Sequence, residues 1–264
     1  MQKLVYYLVS IVKILFGFQR PWQVFWLMAQ RRKFSARPIR LREGTIFNVR
    51  SRMDIWSIKK TWLDRIYQRY GFEIQPEWCV LDVGAAPGDF AIFAARAANS
   101  RVLAVEPFPE SFALLNENLT LNHVKNAQTL ETALGKQGGT LKMDIASGEP
   151  VKFTSREGSD SPEAGAVTVF AISLAELLEK QSIRSCDLLK LDCEGAEYDI
   201  LLPASAETLA RIQRIVLEYH DNRPPHQHAE LTALLQANGF QTQTFPNPAH
   251  SHLGYLRAEQ TPKA

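Results

Sequence analysis

The segment Val80-Leu-Asp-Val-Gly-Ala-Ala-Pro-Gly-Asp-Phe90 constrains the fold of this chain more than any other stretch. An apolar run stops at Asp82, passes Gly84 and Gly88, and enters an alanine-rich stretch. That order predicts a strand, a tight loop and a helix, the opening unit of a doubly wound α/β sheet. A helix N-terminus attracts anions, so a carboxylate at Asp82 would repel a pyrophosphate held there. The loop is therefore either a bare turn or a site for a different kind of ligand.

Strand and helix periods alternate from there onward. Residues 79–83, 101–105, 129–134, 187–191 and 212–219 read as strands, with a shorter one at 167–171. Helices are expected at 88–98, 109–121, 196–202 and from the cap Ser173 to Lys180, with another at 55–70 before the first strand. A helix at 229–238, stopped by Gly239, precedes two closing strands at 240–245 and 252–258. Residues 138–165 are glycine-rich and hold two prolines, which predicts a hairpin insertion or loop. Repeated β-α-β units imply α/β architecture: a seven-stranded, mostly parallel sheet with an antiparallel last strand and helices on both faces.

In such a sheet the ligand lies beyond the C-terminal strand ends. Here those ends carry acid: Asp82, Glu106, the pair Asp192 and Glu194, and Glu218. The crevice disfavours a dinucleotide and suits a cationic cofactor bearing a ribose, such as S-adenosylmethionine (SAM). Asp82 can attract the cationic methionine end, Gly84 and Gly88 let backbone approach closely, and Glu106 can accept both ribose hydroxyls.

Six stretches carry a family resemblance: "VLDVGAAPGDF", "VLAVEPFPESFALLNENLTLN", "ETALG", "CDLLKLDCEGAEYDIL", "RIVLEYH" and "LLQANGF". Over residues 50–258 the chain resembles the FkbM family of SAM-dependent methyltransferases, most distinctively in Lys190-Leu-Asp-Cys-Glu-Gly-Ala-Glu197. The resemblance implies the Rossmann-like class I methyltransferase fold. It also implies cofactor contacts at Asp82, Gly84, Ala85, Gly88 and Glu106, with Ala133 near the adenine and Asp192 near the methyl group. Ala86-Pro87 departs from the family, where Asn and an apolar residue are common. "GAAPG" is also seen in FtsJ-like RNA 2′-O-methyltransferases, but no lysine-rich tetrad can be placed here.

The expected reaction is O-methylation of a saccharide, glycolipid or other small-molecule hydroxyl. A hydroxyl is a weak nucleophile, so a general base should help, and Asp192, Glu194, Glu218 and His220 are the candidates. His220, Asp221, His226 and His228 share one segment where a divalent metal is conceivable, but their spacing fits no standard ligand set, so a solvated polar loop is expected and no metal is assigned. The alternatives are RNA 2′-O-methylation and a non-catalytic, membrane-tethered SAM-binding protein. Cys79, Cys186 and Cys193 also lack metal spacing and read as buried free thiols.

Residues 1–42 fall outside the resemblance and are expected to form a segment apart from a methyltransferase domain at 43–264. Residues 1–60 hold 13 Lys and Arg against 2 acidic residues, a balance of +11, while the remainder carries −9. The run "LVYYLVSIVKILFGF" would span about 22 Å as a helix, short of the roughly 30 Å of bilayer hydrocarbon. With Trp22, Trp26 and Arg31-Arg32-Lys33 beyond it, residues 1–33 read as a membrane-surface anchor rather than a span or a nucleic-acid footprint, the alternative being a helix packed on the protein's own core or against a second copy. The expected setting is cytoplasmic, peripheral on the inner face of the cell membrane.

Overall fold

Parallel pairing of four short apolar runs builds the centre of the molecule. The computed structural model describes residues 2–98, 100–144, 152–153, 166–221 and 225–261. Strands β3 (Cys79–Val83), β4 (Arg101–Val105), β10 (Leu188–Leu191) and β11 (Arg214–His220) lie side by side, each almost wholly buried. With β5 (Ala127–Leu130), β12 (Phe240–Pro246) and β13 (Leu253–Gln260) they form a seven-stranded sheet in the order β12-β13-β11-β10-β3-β4-β5. Only β13 runs against its neighbours, pairing antiparallel with β11 and β12. This is the expected fold. The crossover helices that cover the sheet are α5 (Asp89–Ala98), α6 (Pro109–Leu121), α7 (Leu174–Lys180), α8 (Glu197–Leu201), α9 (Ala206–Ala210) and α10 (His228–Ala237).

Register decides which side chains meet. Lys190 of β10 is paired with Asp82 of β3, and Glu218 of β11 with Tyr255 of β13. The switch in strand order falls between β3 and β10, where Gly84 and Asp192 follow the two strand ends. Leu81, Leu189, Leu191 and Leu217 are fully buried on these strands, each worth about 1.5–3 kcal/mol of transfer free energy.

Two expected elements differ. The strand foreseen at 129–134 is two pieces, β5 and β6 (Ala133–Leu134). Past Leu130 the chain leaves β4, and β6 pairs instead with β9 (Ala166–Ile172) in a second sheet with β7 (Gly139–Asp144) and β8 (Lys152–Phe153). The insertion at 138–165 is thus a hairpin where it can be seen, and the rest of that expectation lies outside the described residues. The helix foreseen at 55–70 is α3 (Arg52–Ile58), one π-turn (Lys59–Leu63) and α4 (Ile66–Arg69), divided at Arg65 with φ 51°.

The head is not separate from the body. Helices α1 (Gln2–Gly17) and α2 (Pro21–Met28) lead into a hairpin, β1 (Arg37–Arg40) and β2 (Ile46–Val49), that sequence periodicity did not reveal. Ile14, Phe18, Val24, Leu27, Ile39 and Leu41 share one core with Phe47, Ile55 and Val80. Residue 42 is therefore no structural boundary. No helix among the described residues is long and apolar enough to cross a membrane.

Candidate active site

The loop after β3 and the loop after β10 touch through backbone. Gly84 has φ +73°, and a Cβ there would come within 2.0 Å of the Asp192 carbonyl oxygen. The Asp192 amide donates to the Val83 carbonyl at 3.1 Å, and the Gly84 and Ala85 amides both donate to the Val105 carbonyl. Only glycine fits this contact. It fixes one wall of a cavity of about 400 Å³, whose lining includes Gly84, Glu106, Ala133, Lys60, Asp192 and Glu194. That size is in the usual range for a small-molecule site.

Glu106 is buried at the end of β4. Its Oε2 accepts from the Ala86 amide at 3.2 Å and its Oε1 from the Phe108 amide at 3.0 Å. Burial, only partly offset by those amides, pushes its pKa up to about 7. Each oxygen keeps a second acceptor position, which a pair of hydroxyls could use.

Asp82 requires a correction. It does not line the cavity; it lies fully buried beneath the loop with Lys190 Nζ 2.7 Å from its Oδ1. Lys190 also donates to the Gly84 carbonyl at 2.9 Å, bracing the loop from below. Burial raises the Asp82 pKa to about 6 despite Lys190, and its Oδ2 has no partner. Ala85 and Gly88 are buried in the turn, behind the lining.

The acids at the C-terminal ends of β10 and β11 are organised by a lysine that sequence reasoning passed over. Lys60, on the π-turn, places its Nζ 2.7 Å from Asp192 Oδ2 and 2.5 Å from Glu218 Oε2. Tyr67 donates to Asp192 at 2.6 Å, and Tyr255 donates to Glu218 at 3.1 Å. Burial disfavours the Asp192 carboxylate, but Lys60 and Lys190 overcome it and hold its pKa well below the usual carboxylate range. Burial dominates at Glu218 and raises its pKa. Lys60 stays charged because the two acids outweigh its desolvation. A π-turn shifts the helical phase by one residue, so helical spacing could not aim Lys60 at these strand ends.

His220 is not a free base. Its Nε2 lies 3.3 Å from Glu194 and its Nδ1 3.0 Å from Glu197. Burial alone would lower its pKa, but hydrogen bonds to the two carboxylates push it up to about 11. Near neutral pH it is an imidazolium tying Glu194 to the start of α8, with no lone pair to offer. Glu194 lines the cavity but spends one oxygen on this tie. His226 and His228 are held by Glu230 and Asp221.

Ligand-capable atoms of Asp192, Glu218 and His220 lie within 4.8 Å of one another. The Lys60 ammonium already bridges the two carboxylates, and both His220 ring nitrogens are engaged. The chain therefore supplies its own cation here.

The sequence model of the methyltransferase FkbM domain matches residues 82–242. The chain is 27% identical over 231 residues to the 31-O-demethyl-FK506 methyltransferase FkbM of Streptomyces tacrolimicus, covering 76% of this chain and 88% of that one. It is 27% identical over 180 residues to the hexuronic acid methyltransferase AglP of Haloferax volcanii, covering 68% and 72%. Against the AMB antimetabolite synthetase AmbE of Pseudomonas aeruginosa it is 28% identical over 221 residues, 69% of this chain but only 10% of that far longer protein. The FkbM model extends over more than half of the chain, across the strand ends and the cavity just described: the protein belongs to the FkbM family of SAM-dependent methyltransferases.

Proposed function

We propose that this enzyme transfers a methyl group from SAM to a hydroxyl oxygen of a saccharide or similarly hydroxylated small molecule. The observation that carries the reading is Asp192, an ionised carboxylate on the cavity wall beside the switch point, held by Lys60 and Tyr67. FkbM and AglP, by their names, methylate a demethylated FK506 at oxygen and a hexuronic acid, which supports a hydroxylated acceptor.

The site suits SAM on its own chemistry. Glu106 offers two acceptor oxygens for the ribose. Gly84 leaves the loop without a side chain, and Ala133 narrows the wall little. Asp82 and Lys190 form a buried ion pair beneath the loop that braces it. When bound, SAM supplies an electrophilic methyl on a sulfonium, which an aligned oxygen displaces in line as sulfur keeps the bond's electron pair.

The chain's own groups then do three things. Asp192 accepts a hydrogen bond from the acceptor hydroxyl and aims its oxygen. Its low pKa makes it an orienting group and a weak base. As the new O–C bond forms and the methyl–sulfur bond breaks, the hydroxyl proton passes to Asp192, while Lys60 keeps its charge and holds Asp192 and Glu218 together. Tyr67 and Tyr255 hold the two carboxylates in place meanwhile.

The test is incubation with SAM and a panel of hexuronic-acid oligosaccharides, hydroxylated polyketides and structured RNA, read by mass spectrometry. A methylated small molecule is expected, and Asp192→Asn should lower turnover by about 10²–10⁴ while leaving SAM affinity within about threefold. Methylation of RNA alone would replace this reading with the RNA one.

A further inference from the structure

Helix α1 turns its apolar face outward. Its buried stripe is narrow: Ser10 and Ile14 pack inward, Lys13 reaches Asp64 at 2.7 Å, and Tyr6 rests edge-on against Trp56. The opposite side is solvent-facing and wholly apolar through Leu4, Leu8, Val12 and Phe16. Leu8 is 53% exposed and Phe16 73%. On α2, Trp22 is 76% exposed and Trp26 62%, while Val24 and Leu27 fill the core. Elsewhere among the described residues only Met53, Leu121 and Phe170 are exposed large apolar side chains. A continuous apolar patch of this kind marks an interaction surface.

The charge around the patch selects the partner. Lys3, Arg20, Arg31 and Arg32 flank α1 and α2 and are exposed, and no acidic residue occurs before Glu43. A second protein copy would bring the same positive charge to the interface and be repelled. An anionic lipid surface complements it, and exposed Trp side chains are suited to the headgroup region. The helix is too short to span, so it would lie flat with its outer face among the acyl chains.

We infer that the outer face of α1 and α2 docks this enzyme on an anionic phospholipid membrane. The same two helices rest on α3, whose Met53, Trp56 and Ser57 line the cavity, and Lys33 beyond α2 lines it too. The docking helices are thus packed directly against an element of the cavity wall. The inference stands apart from the reaction proposed above, because it rests on exposed residues that do not line the cavity.

The experiment uses the full chain and co-sedimentation with vesicles of phosphatidylcholine containing roughly one-third phosphatidylglycerol, at about 0.1 M salt. The chain should sediment with these vesicles and far less with pure phosphatidylcholine. Leu8→Ser/Phe16→Ser/Trp22→Ser should lower the partition coefficient by about tenfold or more. Arg31→Gln/Arg32→Gln should lower it by roughly 25-fold, the equivalent of about 1 kcal/mol per charge. These positions are exposed, so the melting temperature and SAM affinity should not change, which separates lost docking from lost folding. Protein that stays in the supernatant, or binding indifferent to both variants, overturns the inference. So does a stable dimer that the apolar variant dissolves without any vesicle binding, which would assign the face to a second copy.

Discussion

Lys60 is the residue on which the charge balance of the site turns. It neutralises Asp192 on the cavity wall and the buried Glu218, which otherwise stand as like charges at adjacent strand ends. Lys60→Met should therefore cost about 3–5 kcal/mol, because it leaves the buried Glu218 carboxylate without its paired cation. Denaturant melts at neutral pH check this, and a loss below about 1 kcal/mol would mean that Tyr67 and Tyr255 suffice. The strand-end acids were legible because each follows an apolar run in a fixed order. Glu106 and Asp192 accordingly fall on the cavity lining. The lysines were not legible. Lys190 is a mid-strand residue whose meeting with Asp82 depends on register between strands over a hundred residues apart. His220 looked like a base because sequence shows an imidazole but not the two carboxylates that occupy it.

At the level of elements, the site is a joint between two loops. The β3 and β10 loops approach so closely at Gly84 that no Cβ fits against the Asp192 carbonyl. Gly84→Ala should cost more than about 2 kcal/mol, combining a positive φ with a backbone clash. It should also move Asp192 and so lower turnover in protein that still folds at reduced temperature; a variant as stable and active as the parent would show the joint to be loose. Helices and strands with strong periodicity were readable from the chain. Breaks within them were not. The turn after Leu130 and the π-turn at Lys59–Leu63 exchange local regularity for a partner far away in sequence, β9 in one case and the strand-end acids in the other. Ser51 and Asp54 form a capping box that starts α3 three residues before the apolar pattern begins.

For the whole molecule, the head and the body share one hydrophobic core. Phe18 is fully buried in the core that also holds Phe47, Ile55 and Val80. Phe18→Ala should cost about 3–5 kcal/mol and lower a single thermal transition, whereas two transitions would restore a separate head. The basic and apolar character of residues 1–33 was plain in sequence, but only the structure separates the stripe that serves the core from the face left outside. Calorimetry on the full chain decides whether the cavity beyond the strand ends holds SAM through Glu106. Titrated with SAM at about pH 8, it should show one site, and Glu106→Ala should weaken that site by about 1.5–3 kcal/mol. Free Glu106 titrates near pH 7, and ribose hydroxyls donate best to its ionised form. Affinity should therefore fall between about pH 8 and about pH 6 in the parent but not in Glu106→Ala. An affinity unchanged by Glu106→Ala would remove Glu106 from the cofactor site, and no SAM binding alongside tight binding of a nicotinamide dinucleotide would make the cavity a dinucleotide site.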